Sequence, residues 1–141
     1  RIASWNMNGF LHTVDANLSS LQMQRGRVLG LTRRFSIVVP LEAHGNEGHH
    51  LSLRALLPFW GIYMTFHANP TAGGVIMLVR PDLVREFVTI RPHIIEQGRA
   101  MVLDCTHPTF GLRVAAVHCD CRHRTLQRQR LWRSLDGWRS P

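Results

Sequence analysis

Three oxygen-bearing side chains, Asn6, Asn8 and Glu42, stand where predicted strands end, and together they suit a hard divalent cation. Phosphodiester hydrolysis needs such an ion to offset charge on the phosphoryl oxygens, oxygen ligands to hold it, and a group that handles protons. Asn6 and Asn8 close the opening segment RIASWNMNG, and Glu42 follows the apolar run FSIVVPL. A mostly parallel or mixed sheet would bring those two strand ends to one rim, where the three side chains would form an acceptor cluster suited to magnesium. The spacing equally allows a plainer reading, with Asn8-Gly9 only a turn and Glu42 a solvated carboxylate.

A second concentration of ligand types is His118-Cys119-Asp120-Cys121-Arg122-His123, with His44, His49 and His50 elsewhere. Structural zinc takes paired ligands about two to four residues apart in each half of its site, and Cys-x-Cys followed by one histidine lacks the second pair. On a strand, His118 and Cys119 would also point to opposite faces. Burial and chance account for the cysteines more simply. Their odd number, and the short spacing of Cys119 and Cys121, suit a reducing compartment.

The elements that must position these groups follow from periodicity. RIASWNM alternates as a strand, with Ile2 and Ser4 facing away from Ala3 and Trp5, and Asn8-Gly9 ends it. From about Val14 to Arg34, Leu18, Leu21, Val28, Leu29 and Leu31 recur at roughly helical spacing, with Asp15 near the start and arginines at the end, as the helix dipole favours. FSIVVPL is nearly continuous, as in a strand covered on both faces. Leu51 to Leu57 form a short helix that Pro58 helps to stop. FWGIYMTF and GGVIMLV flank the turn-rich HANPTA as antiparallel neighbours; AMVLDCT and LRVAAVHC flank a second turn at His107 to Gly111. Arg124 to Trp138 reads as a helix with a strongly basic exposed side. The order is that of an α/β or α+β sandwich, without internal repeat or domain boundary.

The chain has 141 residues, 45% of them hydrophobic, in the range of one domain or part of one. It opens on Arg1 with a strand and no leader, which reads as an excerpt of a longer domain. No apolar run approaches the roughly eighteen residues of a membrane span, so the expectation is a soluble protein. All seventeen basic residues are arginines, against nine acids, for a formal charge of +8. Guanidinium groups grip phosphate through paired hydrogen bonds, so this balance favours a polyanionic partner such as nucleic acid.

Several segments carry a family resemblance. RIASWNMNG resembles the first motif of the endonuclease/exonuclease/phosphatase family, a strand ending Trp-Asn-x-(Asn or Asp)-Gly, and IVVPLEAHG resembles the second, a buried strand ending in a metal-binding glutamate. AGGVIMLVRPDL, QGRAMVLDC and FGLRVAAVHCD resemble the strands that follow, so the likeness spans nearly the whole chain. Within the family, LEAHG and the arginine-based charge look most like the endonuclease domains that precede reverse transcriptases in non-LTR retrotransposons. The resemblance implies a deoxyribonuclease I-like four-layer fold, of which residues 1–141 would be about the first half. It implies Mg or Mn as cofactor, DNA as partner and a nuclear destination. It makes Glu42 the metal ligand, Asn6 part of the metal and phosphate network, Asn8 an auxiliary oxygen ligand and His118 a candidate general acid. A packed or hydrogen-bonded histidine is the plainer reading of His118. Arg99 resembles a basic residue bordering the active-site sheet, or more simply a solvated strand arginine.

The chain departs from the family at Leu41, where the family has glutamine, at Ala43, and at Pro40, which favours an edge or strand-end position and would displace Glu42. The later Gly-Asp-Phe-Asn and Ser-Asp-His motifs have no counterpart after His118. The expectations are therefore that the fragment is inactive alone, that the missing C-terminal half is its natural partner, and that the absent second sheet leaves the apolar faces of GGVIMLV and LRVAAVHC exposed. The alternatives are a noncatalytic or decayed nucleic-acid-binding domain, or a phosphatase of the same superfamily.

Overall fold

The computed structural model describes residues 1–9, 11, 18–119 and 125–138, with side chains for all of these except 18–21 and 127. The described elements are β1 (Ile2–Asn6), α1 (Leu18–Thr32), β2 (Ile37–Leu41), a 3-10 turn (Glu47–His49), α2 (His50–Leu56), β3 (Gly61–Thr65), β4 (Val75–Val79), α3 (Pro81–Glu86), β5 (Thr89–Glu96), β6 (Ala100–Thr106), β7 (Gly111–Val117) and α4 (Thr125–Asp136). One sheet has the order β1-β2-β4-β3, with β1 and β2 parallel and the other pairs antiparallel; the second is the antiparallel meander β5-β6-β7. The protein is thus a mixed α/β sandwich.

Strict alternation along the interior strands builds the layers. Val75, Met77 and Val79 of β4, with Ile37 and Val39 of β2, pack against Met101, Leu103 and Cys105 of β6 and Val114 and Ala116 of β7. The intervening Ile76, Leu78 and Val38 face the other way, into a cluster with Val28 of α1 and Leu53 of α2. Ala100 and Val102 of β6 meet Leu131 and Leu135 of α4 on the far side of the second sheet. A period of two puts successive side chains on opposite faces, so strands with helices on one side and a sheet on the other must be apolar at nearly every position.

Several expectations change here. The second sheet is present, and with it the faces expected to stand exposed are covered: all of Val75–Val79 is buried, as are Val114 and Ala116. Its edge strand β5 escapes a reading based on alternation because Arg91, Pro92 and His93 interrupt the apolar pattern; an edge tolerates a proline that cannot donate to a ladder. α3 was also not anticipated, although Pro81 stands at its first position, where a fixed φ and a missing N–H cost nothing. Pro40 does not lie on an edge. It is buried in an interior strand, next to that strand's last residue, and the β2–β4 pairing skips it while keeping one register, Val38 with Leu78 and Leu41 with Val75, consistent with the missing donor. Arg33 and Arg34 follow the last residue of α1 rather than occupying its final turn, and residues 14–17 and 124, part of the expected helices, lie outside the described residues.

Because the inter-sheet layer is packed from fully buried side chains of both sheets, truncation there should be expensive. Leu103→Ala is expected to cost about 2–5 kcal/mol in urea unfolding, far more than removal of the exposed Leu51 side chain. Cys105 in the same layer is buried, which pushes its thiol up to about 11, assisted by the charge of Asp104, whereas Cys119 is exposed. A raised thiol value leaves native stability intact below the ordinary range and erodes it as pH climbs from about 9 towards 11. Iodoacetamide at mildly alkaline pH should therefore label Cys119 and spare Cys105 until the chain is unfolded, as read by peptide mass spectrometry.

Candidate active site

Strand ends from both sheets converge on one rim. Asn6 of β1 pairs with Leu41 of β2, Leu41 pairs with Val75 at the start of β4, and Ala100 at the start of β6 pairs with Val117 at the end of β7. Glu42 and His118 each lie one residue beyond these strands. The parallel ladder continues past β1, with Met7, Gly9 and Leu11 N–H groups donating to the carbonyls of Leu41, Glu42 and Ala43, each at 2.8 Å. On the other side, Ala43 and His44 N–H donate to Gly74 and Gly73, both at 3.1 Å. Glu42 is thereby fixed in a left-handed conformation, φ 51, and His44 in another, φ 47. Few residues without glycine's freedom adopt this region, and the hydrogen bonds on both sides supply the constraint that holds it.

A junction of glycines connects this bend to His118. Gly74 N–H donates to Gly98 C=O at 2.8 Å, Gly98 N–H donates to the buried Thr65 Oγ1 at 2.9 Å, and His118 N–H donates to Arg99 C=O at 2.7 Å. Gly98 has φ 70, and a Cβ there would collide with the main chain of His67. The first sheet therefore positions Glu42, the second positions His118, and residues 73–74 and 98–99 set their separation.

The result is a carboxylate–imidazole pair, His118 Nε2 to Glu42 Oε1 at 3.2 Å, with the two side chains 11% and 26% exposed. His118 Nδ1 is buried and has no hydrogen-bond partner. If Nε2 carries the proton and donates to Glu42, Nδ1 is left as an acceptor; this tautomer is assigned from the network, since a buried donor without a partner is the costlier arrangement. The pair can orient an imidazole and present the second carboxylate oxygen to solvent.

The other sequence candidates are placed less centrally. Asn6 Oδ1 accepts from Asn8 N–H at 3.1 Å, and Asn8 has φ 44, so Asn8-Gly9 is a turn, with asparagine in a conformation it tolerates. Both asparagines are exposed at the rim, and neither hydrogen-bonds to Glu42. The Arg99 side chain lies 3.6 Å from Glu96, while its main chain anchors His118. Among the described residues no group of three or more His, Cys, Asp or Glu could hold an ion. Asp120, Cys121 and His123 lie outside the described residues. Sequence reasoning missed the bend at Glu42 and the bracing role of the glycines, whose only signals are the Gly73-Gly74 doublet and the isolated Gly98.

Comparison with known families gives no matching family model, and comparison with curated proteins gives no matching relative.

Two glycine substitutions should act in opposite directions. Gly98→Ala combines a left-handed backbone with a main-chain collision and should lower stability by more than about 1–2 kcal/mol while separating Glu42 from His118. Gly26→Ala, on the exposed side of α1 with nothing near its Cβ, should raise stability by up to about 1 kcal/mol. Thermal and urea melts of the two variants check both signs.

Proposed function

We propose that the chain is the N-terminal portion of a Mg-dependent phosphodiester hydrolase of the endonuclease/exonuclease/phosphatase family, most similar in style to the DNA endonucleases of retrotransposons. The observation that carries this reading is the meeting of Glu42 and His118. They lie far apart in sequence, come from opposite sheets, and are the carboxylate and the histidine that residue type and motif single out in the sequence. The layering of α1 and α2, the two sheets and α4 supports the finer fold reading, a deoxyribonuclease I-like sandwich.

The donor types at the rim fit a hard divalent ion as a partial set. Glu42 would hold it, with Asn6 and Asn8 offering amide oxygens, and magnesium commonly takes one or two carboxylates and keeps several waters. Such an ion would offset charge on the phosphoryl oxygens. His118, oriented by Glu42 and largely shielded from water, is placed to hold or pass a proton next to a bound phosphodiester. No second carboxylate joins this pair among the described residues. The reading therefore includes a partner, the C-terminal half of the same domain, to supply the base. An open groove of ≈ 490 Å³ between β1 and α4, lined by Ile2, Leu41, Trp132 and Trp138, supports that element; Ile2 is 52% exposed on the sheet's edge strand. The sparse donor set favours one alternative, a noncatalytic nucleic-acid-binding domain.

Manganese added to the chain should broaden the His118 ring resonances in NMR spectra, and Glu42→Ala should abolish the effect. Unchanged His118 resonances at millimolar manganese would sink the metal assignment. On supercoiled plasmid, the chain and Glu42→Ala should both leave the substrate intact, and a chain extended by the remaining half should nick it. Salt-sensitive DNA binding indifferent to metal and to Glu42→Ala, with no manganese effect, would select the noncatalytic reading.

A further inference from the structure

The four-stranded sheet has a second rim, opposite Glu42, where β3 begins: Gly61 and Ile37 both pair with Val79. The chain enters β3 through Leu57-Pro58-Phe59-Trp60, a turn in which Trp60 N–H donates to Leu57 C=O at 3.4 Å. Proline suits the second position of such a turn. Phe59 then occupies the third with φ 68, the left-handed conformation that type II turns normally give to glycine or asparagine. A bulky side chain there is strained. The fold recovers little from it, because Phe59 is 87% exposed, more than any other large hydrophobic residue described.

Phe59 borders an open pocket of ≈ 580 Å³ whose walls include Arg54, Trp60, Ile62, Tyr63 and Val84. The concavity wraps the open edge of β3: Trp60 and Ile62 lie on the helix face of the sheet and Tyr63 and Val84 on the inter-sheet face, with Phe59 exposed between them and Arg54 of α2 among the lining residues. Arg54 is exposed and takes part in none of the ion pairs among the described residues, which involve Arg80, Arg99, Arg113 and His118. Of the two acids on neighbouring α3, Asp82 is already held by Arg80 at 2.6 Å, and that hydrogen bond lowers its carboxyl below the ordinary range, while Glu86 is the last residue of the helix.

We propose that this pocket binds an unpaired base of single-stranded nucleic acid, stacked against the exposed ring of Phe59, with Arg54 on the adjoining phosphate. Every base has a π-face, so an aromatic ring accepts it without reading sequence, and a nearby arginine meets the backbone charge and adds a cation–π contribution. The chain's charge of +8, carried by seventeen arginines and no lysine against nine acids, is complementary to a phosphate backbone, a feature that an apolar protein partner would not use. The pocket stands at the far end of the sheet from Glu42 and does not depend on the hydrolytic reading.

The test uses a fluorescent oligothymidylate and an abasic oligonucleotide of equal length and charge, titrated into the whole chain in the presence of chelator. Phe59→Gly is expected to melt at the same or a higher temperature, because it relieves the turn, while its affinity for oligothymidylate falls by about tenfold. The abasic strand should bind both proteins equally and more weakly than oligothymidylate binds the parent. Arg54→Ala should flatten the salt dependence by about one charge. Equal oligothymidylate affinity for Phe59→Gly and the parent overturns the proposal, as does equal affinity of the parent for the two strands. Self-association that Phe59→Gly abolishes, with oligothymidylate binding unaffected, would assign the surface to a second copy instead. Because no metal is present, the result is independent of plasmid nicking.

Discussion

The hydrogen bond from Gly74 N–H to Gly98 C=O, 2.8 Å long, joins the two sheets at the rim where both deliver their polar residues. Apolar packing between Val75, Met77 and Val79 and the β6–β7 face brings the sheets together, but packing of this kind is nondirectional and leaves their relative slide loosely defined. A main-chain hydrogen bond is directional. Here it is reinforced by Thr65 beneath Gly98 and by the bond from His118 to Arg99, so the offset between β4 and β6 is held at the place where it decides whether Glu42 can reach His118.

The local cost of this arrangement is concentrated in the residues that carry polar function. Glu42 and His44 adopt left-handed backbone conformations, and His118 Nδ1, like Gln24 Oε1 of α1, is buried without a partner, beside core strands that are mostly apolar. Strain at Glu42 persists because hydrogen bonds from β1's extension and from Gly73-Gly74 constrain the same short bend from two sides. Phe59 is the outlier at the opposite rim, and its strain is held by the turn after α2 rather than by the inter-sheet junction. The two rims therefore differ in kind: one brings polar groups inward, and the other displays an aromatic side chain outward.

The arginine-based charge distributes between structural pairing and open surface. Arg80 is locked to Asp82 at the start of α3, and Arg113 bridges Asp104 across β6 and β7 while lying over the Trp138 ring. The exposed side of α4 carries Arg130 and Arg133, in keeping with the basic helix read from sequence, while Leu131 and Leu135 hold that helix to the second sheet. Composition reports the total charge but not this partition, which depends on which carboxylates the strand registers bring alongside.

The sequence by itself determined the elements with strong internal periodicity. The buried run at Ile37–Leu41, the hairpin partners Gly61–Thr65 and Val75–Val79, the pair Ala100–Thr106 and Gly111–Val117, and the terminal helix were legible because each must match its own surroundings on every face. It also placed Asn6 and Glu42 on adjacent strand ends, since chain order and a parallel pair suffice for that. β5 and α3 were not legible, because an edge strand with Pro92 at its centre and a six-residue helix bury too little to impose a period. Only tertiary structure decided that a second sheet covers β4, that Glu42 turns through a left-handed bend, and that it meets His118. Those outcomes rest on contacts between residues distant in sequence, through the Gly74–Gly98 junction and the packed layer beneath it, and no local pattern encodes the offset between two sheets.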